Sequence, residues 1–360
     1  MDDDLKQIDS TSLTPMRIRH KRSWWAIIGV IVISIIAVAG LVVTSYFAAL
    51  SPVDHQASET IRVVIQPGQT ASDIADNLFS HGLIRNKQAF QLYTQLSGTN
   101  SKLQSGGYVL RRSQSVQDIV QHLVAGKTDE LRVTILPGLT LQELADPGVE
   151  GSLAQQGFTP DEISAAFAKS YTSPLFKDKP VGTSLEGYLY PETYIIAAND
   201  TLDRVLTMTF SEFYGVITKN KLDEQAAARG LNLYQAITLA SIVQKEISDP
   251  SDQRQVAQVF LKRLSDGMVL GSDVTFMYIA KKEGRVPSVN DPSPYNTRRA
   301  GGLPPGPIAN FNLSALQAVA NPASGDYVYF VAGDDGKTYF ARTEAEHEAN
   351  VAKYCTTLCQ

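Results

Sequence analysis

The chain is poor in the residues on which many enzymes depend. Its 360 residues include two cysteines and five histidines, and only one of these histidines, His347, lies beyond residue 122. Zinc sites take most of their ligands from His and Cys, and a Ser/His/Asp or Cys/His mechanism would have to use His347. The motifs GxSxG, HExxH, GxGxxG and GxxxxGK[ST] are absent as well. We therefore expect chemistry that uses carboxylates, with no metal and no organic cofactor.

The two cysteines and the overall charge exclude two further classes of protein. Cys355 and Cys359 lie four apart in the last six residues, where they could pair or stay free, but they cannot form a disulfide framework. The first 22 residues carry four Asp and five Lys or Arg, so with a total charge of -5 the remainder is near -6. A mildly acidic chain of this kind is not typical of a nucleic-acid binder.

The longest apolar run predicts a membrane anchor. Residues 24–49 contain no charged side chain, and they exceed the roughly 20 residues that a helix needs to cross a bilayer. Four basic residues stand between positions 17 and 22, so the positive-inside rule places the N-terminus in the cytoplasm. The alternative is a signal peptide cleaved near Ala48-Ala49, although its apolar region would be shorter, about 7–15 residues. We predict a single-pass protein of the cell (inner, cytoplasmic) membrane, with everything after Leu50 outside.

The sequence after the anchor has a mixed α+β pattern. Segments 62–76 and 132–146 match at 8 of 15 positions, and each reads as a strand, a Pro-Gly turn and a helix opened by a capping box. True duplication and two independent uses of strand–turn–helix both explain the match. The small β/α unit resembles LysM-like domains. We expect a cytoplasmic tail, an anchor, a linker, a LysM-like domain, a larger α+β domain and a C-terminal tail, at 1–22, 23–50, 51–59, 60–127, 128–354 and 355–360.

Periodicity and turn signals predict the individual elements. Helices are expected at 71–80, 87–97, 116–124, 202–219, 223–229, 234–248, 252–265, 313–320 and 343–354. Strands are expected at 107–110, 132–136, 269–270, 327–332 and 337–341.

A carboxylate on the apolar side of a helix is the most informative residue of the larger domain. At 100° per residue, Leu239, Ile242 and Val243 fall within about 60° of Glu246, whereas Gln244 and Lys245 point away from this stripe. Desolvation raises the pKa of a carboxyl group, so Glu246 would hold a proton near neutral pH and act as a general acid. The alternative is that Glu246, in the last turn of its helix, turns toward water.

Carboxylates and aromatic residues are concentrated in LEGYLYPETY, residues 185–194. This stretch contains Glu186, Tyr188 and Glu192. Aromatic faces stack on sugar rings and carboxylates bind hydroxyl groups, so the mixture suits a saccharide groove. A β-edge followed by a turn at Pro191 is the structural alternative.

Two other polar segments are candidates for binding. In the loop 287–307, nine of 21 residues are Pro or Gly, and they surround Tyr295, Asn296 and Thr297. A long loop inside a compact domain is usually functional or disordered, and the rigid prolines favour a shaped binding loop. Asp273 lies in a polar break between apolar runs, either as a ligand-binding residue or as a turn former.

Seven segments form an ordered set of motifs: LEGYLYPETY, LASIVQKE, VFLKRLSDGMVLGSD, YNTRRAGGLPPGPIANF, ALQAVANPA, YVYFVAGDDGKTYFA and TEAEH. In order and spacing they resemble the YceG-like (MltG) family of endolytic murein transglycosylases. The family's catalytic acid is the last Glu of a helix motif usually written ASIVEKE, which corresponds to Glu246, and the first Glu of that motif is Gln244 here. Val274 replaces the Pro that commonly follows the family's Asp. The resemblance implies substrate-binding roles for Glu186, Tyr188, Glu192, Asp273, Tyr295, Asn296 and Thr297.

The resemblance also implies a reaction and partners. It implies cleavage of the β-1,4 bond between N-acetylmuramic acid and N-acetylglucosamine in nascent peptidoglycan strands, which leaves 1,6-anhydro ends and terminates strand elongation. Partners would be the glycan strands and, by the same resemblance, penicillin-binding proteins and other cell-wall synthases. A lysozyme-like hydrolase is one alternative, and its second carboxylate would be Glu186, Glu192 or Asp273. A non-catalytic glycan-binding scaffold is the other.

Overall fold

The computed structural model describes residues 24–357. Its helices are α1 (Trp24–Leu50), α2 (Ala71–Ser80), α3 (Lys87–Leu96), α4 (Val116–Ala125), α5 (Leu141–Ala145), α6 (Pro160–Ala168), α7 (Leu202–Asn220), α8 (Leu222–Ala227), α9 (Leu233–Glu246), α10 (Pro250–Ser265), α11 (Asp273–Lys282), α12 (Leu313–Ala320) and α13 (Glu344–Tyr354). The strands are β1 (Thr60–Ile65), β2 (Gly106–Arg111), β3 (Glu130–Thr134), β4 (Thr193–Ala197), β5 (Tyr329–Ala332) and β6 (Thr338–Ala341). The predicted tail 1–22 and Cys359 lie outside the described residues, whereas Cys355 is buried and disulfide-bonded.

The N-terminal helix α1 is 27 residues long with a mean hydropathy of 3.1. Its length and composition suggest a membrane anchor or a signal sequence. Its last residue, Leu50, is buried in the core of the small unit that follows. The guanidinium of Arg85 donates to the carbonyl oxygens of Pro52 and Val53 at 2.7 and 2.9 Å. The end of α1 and the start of the predicted linker are therefore fixed to the small unit.

The small unit has the order β1-α2-α3-β2-α4. Its two strands are antiparallel, with Thr60 opposite Arg111 and Ile65 opposite Gly106. Capping boxes open two of its helices, one of them the predicted pair Thr70 and Asp73. The capping box predicted in the second repeat, at the start of α5, is confirmed as well. The likeness of the small unit to LysM domains stays a prediction.

Arg62 and Gly107 of the small unit contact the larger unit. The side chain of Arg62, which is 6% exposed, forms an ion pair with Glu162 at 3.2 Å and donates to the carbonyl oxygen of Ala198 at 2.7 Å. A Cβ atom on Gly107 would lie 2.0 Å from the backbone nitrogen of Asn199, so no larger residue fits there. The two units are thus in direct backbone contact.

Helix α9 lies at the centre of the larger unit. The residues from Ala236 to Val243 are all buried, and α9 contacts α8, α10, α11 and α12. The expected one-sided apolar stripe is therefore wrong for this part of the helix, because neighbouring helices cover every side. Its first turn is partly exposed, and its last turn reaches the surface, where Lys245 is exposed and Gln244 accepts a hydrogen bond from the backbone of Asn312 at 3.0 Å.

Most predicted elements agree with the observed ones to within two residues, and four differences remain, one of which is the helix α6 that was not predicted. Helix α11 occupies the segment where Asp273 was expected to form a polar break or a turn. The strand β4 pairs with β3, and the predicted strand 269–270 is a single bridge between Val269 and Gly301. The β-branched and aromatic residues of VTFMYI mask the helical pattern of α11, because such residues favour strands when they are judged locally.

Candidate active site

Glu246 is the last residue of α9, and the chain leaves the helix at Ile247, whose backbone is extended. This change of direction places the carboxyl group at the end of a rigid, buried helix. The hydroxyl of Ser272 donates a hydrogen bond to Oε1 of Glu246 at 2.5 Å. The side chain is held in place while its surroundings open to a cleft.

The cleft has a volume of about 760 Å³. The hairpin of β5 and β6 forms one wall together with α13. The other wall consists of the end of α9, the segment 269–273 and Arg298. On the first wall, the ring of His347 stacks on that of Tyr329, with centroids 5.2 Å apart and an interplanar angle of 19°. The open shape and the aromatic wall suit an extended ligand that carries rings.

Burial raises the pKa of Glu246 above the ordinary value of a glutamate. The carboxylate of Asp273 raises the pKa further, whereas the hydrogen bond from Ser272 and the positive charges of Arg298 and Arg263 lower it. Burial is the largest of these effects, so the carboxyl group keeps its proton to a higher pH than an exposed one. A proton held in this way is what a general acid requires.

Ser272 is itself positioned by a buried threonine of the Pro/Gly-rich loop. Oγ1 of Thr297 accepts from the backbone nitrogen of Ser272 at 3.1 Å and lies 3.0 Å from the hydroxyl oxygen of Thr275. The side-chain amide of Asn296 donates to the carbonyl oxygens of Val289 and Asp291 at 2.9 and 2.8 Å. Asn296 and Thr297, predicted to bind substrate, are fully buried in the structure and hold the loop behind the cleft.

Four other predicted residues also lie away from the cleft. Tyr188 is buried against Phe176, with ring centroids 5.3 Å apart. Tyr295 is half-buried beside Tyr278, at 5.4 Å. Glu192 is exposed at the start of β4. Glu186 is buried and lines a different cavity.

Of the predicted residues, the structure brings Glu246 and Asp273 together. Both line the cleft, and Asp273 forms an ion pair with Arg298 across its rim. The interaction is partly exposed, since each side chain is 47% accessible. A second carboxylate therefore shares the cleft with Glu246, and it is neutralised by a neighbouring arginine.

Sequence reasoning missed several residues of the cleft. Arg263 donates to the carbonyl oxygens of Leu270 and Val328 at 2.6 and 2.5 Å, and its guanidinium lies 5.2 Å from the ring centroid of Tyr329. It thereby joins the two walls. Ser272 precedes Asp273 in the sequence GSD, residues 271–273, and this position could have identified it. Tyr329 lies in the motif YVYFVAGDDGKTYFA, but nothing local placed it in the cleft, because the cleft wall is assembled by folding.

The chemistry of the site rests on carboxylates. Among residues 24–357, no group of three or more His, Cys, Asp and Glu side chains is arranged to hold a metal ion. The arrangement provides a protonated, positioned carboxyl group beside an open, partly aromatic cleft. Such a site can protonate a leaving group on a ligand that lies in the cleft.

Comparisons with known proteins agree with the motifs. A family model described as the YceG-like family matches residues 63–353. The endolytic murein transglycosylase of Bacillus subtilis (strain 168) is 30% identical over 323 residues, which cover 86% of this chain and 88% of the relative. That of Streptococcus pneumoniae serotype 2 is 31% identical over 337 residues, which cover 85% of this chain but only 60% of the relative.

A solved structure is similar as well. The crystal structure of a yceG-like protein from Listeria monocytogenes aligns with a TM-score of 0.51 at 28% identity, and the alignment covers 81% of this chain and 98% of the Listeria chain. The family match includes the small unit, the cleft and Glu246. The chain belongs to the YceG-like family.

Proposed function

We propose that this protein is a membrane-anchored endolytic lytic transglycosylase that cleaves peptidoglycan glycan strands, with Glu246 as its acid and base. The observation that carries the proposal is the carboxyl group at the end of α9, which is buried, raised in pKa and open to the cleft. The relatives named endolytic murein transglycosylase support the substrate and the reaction type.

The reaction needs one carboxyl group. Protonated Glu246 donates its proton to O4 of N-acetylglucosamine while the bond from C1 of N-acetylmuramic acid to that oxygen breaks. The resulting carboxylate then takes the proton from the C6 hydroxyl of the same muramic acid, whose O6 bonds to C1 and closes the 1,6-anhydro ring. One C–O bond breaks, one forms, and no water is consumed. A positioned acid and base of this kind contributes roughly 10²–10⁴ in rate.

The groups around Glu246 have distinct roles in this mechanism. Ser272 orients the carboxyl group, and Thr297 behind it fixes Ser272. Asp273 and Arg298 form an ion pair at the rim of the cleft, and their charges shift the pKa of Glu246 in opposite directions. Tyr329, held by His347 and Arg263, lines the opposite wall, along which the strand would lie.

We propose that this chemistry takes place outside the cell, close to the bilayer. Helix α1 spans the cytoplasmic membrane once with the N-terminus inside, because basic residues precede it in the sequence. Its end is fixed to the small unit, and the small unit is fixed to the catalytic unit. The cleft therefore stays near the membrane, where newly made strands emerge. We further propose that cleavage there terminates strand elongation, next to the synthases that make the strands.

A lysozyme-like hydrolase is the second candidate, and the position of Asp273 in the same cleft is the observation that favours it. In that mechanism Asp273 would be the nucleophile or would activate a water molecule. Of the three carboxylates expected for this role, Asp273 lines the cleft and Glu186 and Glu192 do not, while Glu344 and Glu348 line its opposite wall.

The test is product analysis with the full-length protein in detergent micelles, using peptidoglycan strands in water enriched in oxygen-18. We expect 1,6-anhydro ends without the heavy isotope. Reducing ends that carry oxygen-18 would identify a hydrolase instead. The Glu246→Gln variant should give neither product, and the Glu212→Gln variant is the matched control because Glu212 is exposed on α7, outside the cleft. A native protein that binds strands but never cleaves them would support the scaffold.

A further inference from the structure

A second cavity lies next to the cleft and has a different character. Its volume is about 580 Å³. We call it the cationic pocket. Its walls are apolar, with Leu141, Val274, Met277 and Ile308 among them, and four basic side chains line it: Lys245, Lys281, Lys282 and Arg285.

Two of the four basic groups in the cationic pocket are not neutralised. Lys281 pairs with Glu143 at 2.6 Å, and Arg285 pairs with Glu283 and Asp291. The ammonium of Lys245 instead donates to the carbonyl oxygen of Gly138 at 3.2 Å, and that of Lys282 to the hydroxyl of Tyr278 at 3.2 Å. Within residues 24–357, neither ammonium forms an ion pair with a carboxylate. The four basic groups minus the three paired carboxylates (Glu143, Glu283 and Asp291) leave a net charge of +1 over apolar walls before Glu186 is counted.

The floor of the cationic pocket does not cancel this charge at neutral pH. Glu186 accepts hydrogen bonds from the backbone nitrogen of Leu141 at 3.1 Å and from the hydroxyl of Tyr278 at 3.2 Å. Burial raises the pKa of Glu186 to about 7. Near pH 7 a large fraction of the molecules therefore carries an uncharged Glu186. The charge of Lys282 lowers the pKa of Glu186, and that of Glu143 raises it.

The cationic pocket and the cleft share two thin walls. Glu246 lines the cleft while the preceding residue, Lys245, lines the pocket, and Asp273 lines the cleft while the following residue, Val274, lines the pocket. At each of these places one residue lines the cleft and its neighbour in the chain lines the pocket, and consecutive Cα atoms are about 3.8 Å apart. A ligand branch beside the bond being cleaved would have to cross this one-residue edge to enter the pocket.

We propose that the cationic pocket binds the acidic stem peptide of the muramic acid whose glycosidic bond lies at Glu246. This inference rests on the proposed function. The stem peptide leaves the muramic ring through the lactyl group on C3, on the same ring as the reacting C1, and it carries free carboxylates. An extended peptide spans about 3.3–3.6 Å per residue, so its first residues are long enough to pass from the cleft into the pocket. Lys245 and Lys282 pair with its carboxylates, and the apolar walls contact its alanyl side chains.

The proposal predicts that the protein distinguishes strands with stem peptides from strands without them. The probes are uncrosslinked glycan strands and the same strands stripped by an N-acetylmuramoyl-L-alanine amidase. The variant is Lys245→Gln with Lys282→Gln in the full-length protein, and the control is Lys219→Gln, an exposed lysine on α7 outside both cavities. Melting temperatures of all variants exclude a loss of fold.

We expect the double variant to raise KM for peptide-bearing strands about tenfold, which is the effect of losing two partly exposed charge contacts. Neither kcat nor the KM for stripped strands should change, and the native preference for peptide-bearing strands should shrink in high salt because exposed charges are screened. An equal change on both substrates, or none on either, would overturn the proposal.

A binding measurement separates this proposal from the proposed function. Calorimetry with the full-length Glu246→Gln variant compares a free muramyl tetrapeptide with the same compound after its carboxyl groups have been amidated. Tighter binding of the acidic form, lost when Lys245 and Lys282 are also replaced, supports the pocket even if no strand is cleaved. Equal binding of both forms would refute the pocket while leaving cleavage by Glu246 intact.

Discussion

Glu246 and Glu186 are two buried carboxyl groups in adjacent cavities, and burial raises the pKa of both. They differ in what holds them. Glu186 receives one hydrogen bond on each oxygen, from Leu141 and Tyr278. From residues 24–357, Glu246 receives one, from Ser272, on Oε1. Of the two, Glu246 is the one whose other oxygen is available to a ligand in the cleft.

The comparison shows that a raised pKa does not by itself identify a catalytic acid. A carboxyl group whose oxygens are both engaged by protein donors is a structural or binding group, even when it titrates near pH 7. A carboxyl group with a free oxygen at the end of a rigid helix can exchange its proton with a substrate. Access and unused hydrogen-bonding capacity separate the two roles.

Replacing each of the two carboxyl groups in turn tests the assignment of Glu246 as the catalytic acid. Replacing Glu246 by Gln removes the proton donor and should lower kcat for strand cleavage by roughly 10²–10⁴. Replacing Glu186 by Gln keeps an acceptor for the backbone of Leu141 and reverses the hydrogen bond with Tyr278, and it should lower kcat by less than about tenfold, because the group does not line the cleft. Steady-state rates of release of soluble products from peptidoglycan measure both.

Equal losses of activity in the two variants, or a larger loss in Glu186→Gln, would contradict the assignment of Glu246 as the catalytic acid. Melting temperatures must accompany the rates, so that a loss of fold is not read as a loss of chemistry. The Glu212→Gln variant, on the exposed side of α7, controls for the change from carboxylate to amide.

The second prediction concerns stability, and its sign follows from the raised pKa of Glu186. In the unfolded chain this group ionises near its ordinary value of 4.5, whereas in the folded protein it ionises at about 7. Between these two pH values the folded state binds more protons, so stability falls as pH rises, and above about pH 7 the loss is complete. The shift corresponds to about 3 kcal/mol.

Thermal melts of the full-length protein in micelles check this prediction. The Glu186→Gln variant should lose this part of the pH dependence and should melt above the native protein at pH 8, with a smaller difference at pH 4.5. Glu246 is present in both proteins, so its own contribution cancels in the difference. Parallel curves for the two proteins would show that Glu186 is not protonated in the fold.

Much of this organisation was accessible from the sequence, because the signals were local. Capping residues fixed the start of α2 and α5, and helical periodicity gave α12 its observed bounds. Glu246 could be identified because it is a charged residue at the end of an apolar helix. The ordered motifs then indicated the family.

The sequence could not show which polar residues face the cleft. Asn296 and Thr297 had the composition of a binding loop, yet both turn inward to hold backbone groups, and only the three-dimensional path of the loop decides this. The wall formed by β5, β6 and α13 lies some 80 residues after Glu246 in the chain. Its part in the cleft depends on long-range packing, for which a single sequence carries no local signal.

The pKa of Glu246 can be shifted modestly by replacing its charged neighbours. The charge of Asp273 raises the pKa of Glu246, and that of Arg298 lowers it. Because a general acid must be protonated, the alkaline limb of kcat/KM against pH follows the pKa of this group in the free enzyme. Asp273→Asn should move the limb to lower pH and Arg298→Gln to higher pH, each modestly, since both side chains are partly exposed and screened. Both displacements should shrink as salt is added. Limbs that move in the same direction would mean that the variants act by disturbing the ion pair at the rim of the cleft, and an unmoved limb would mean that the titrating acid is not Glu246.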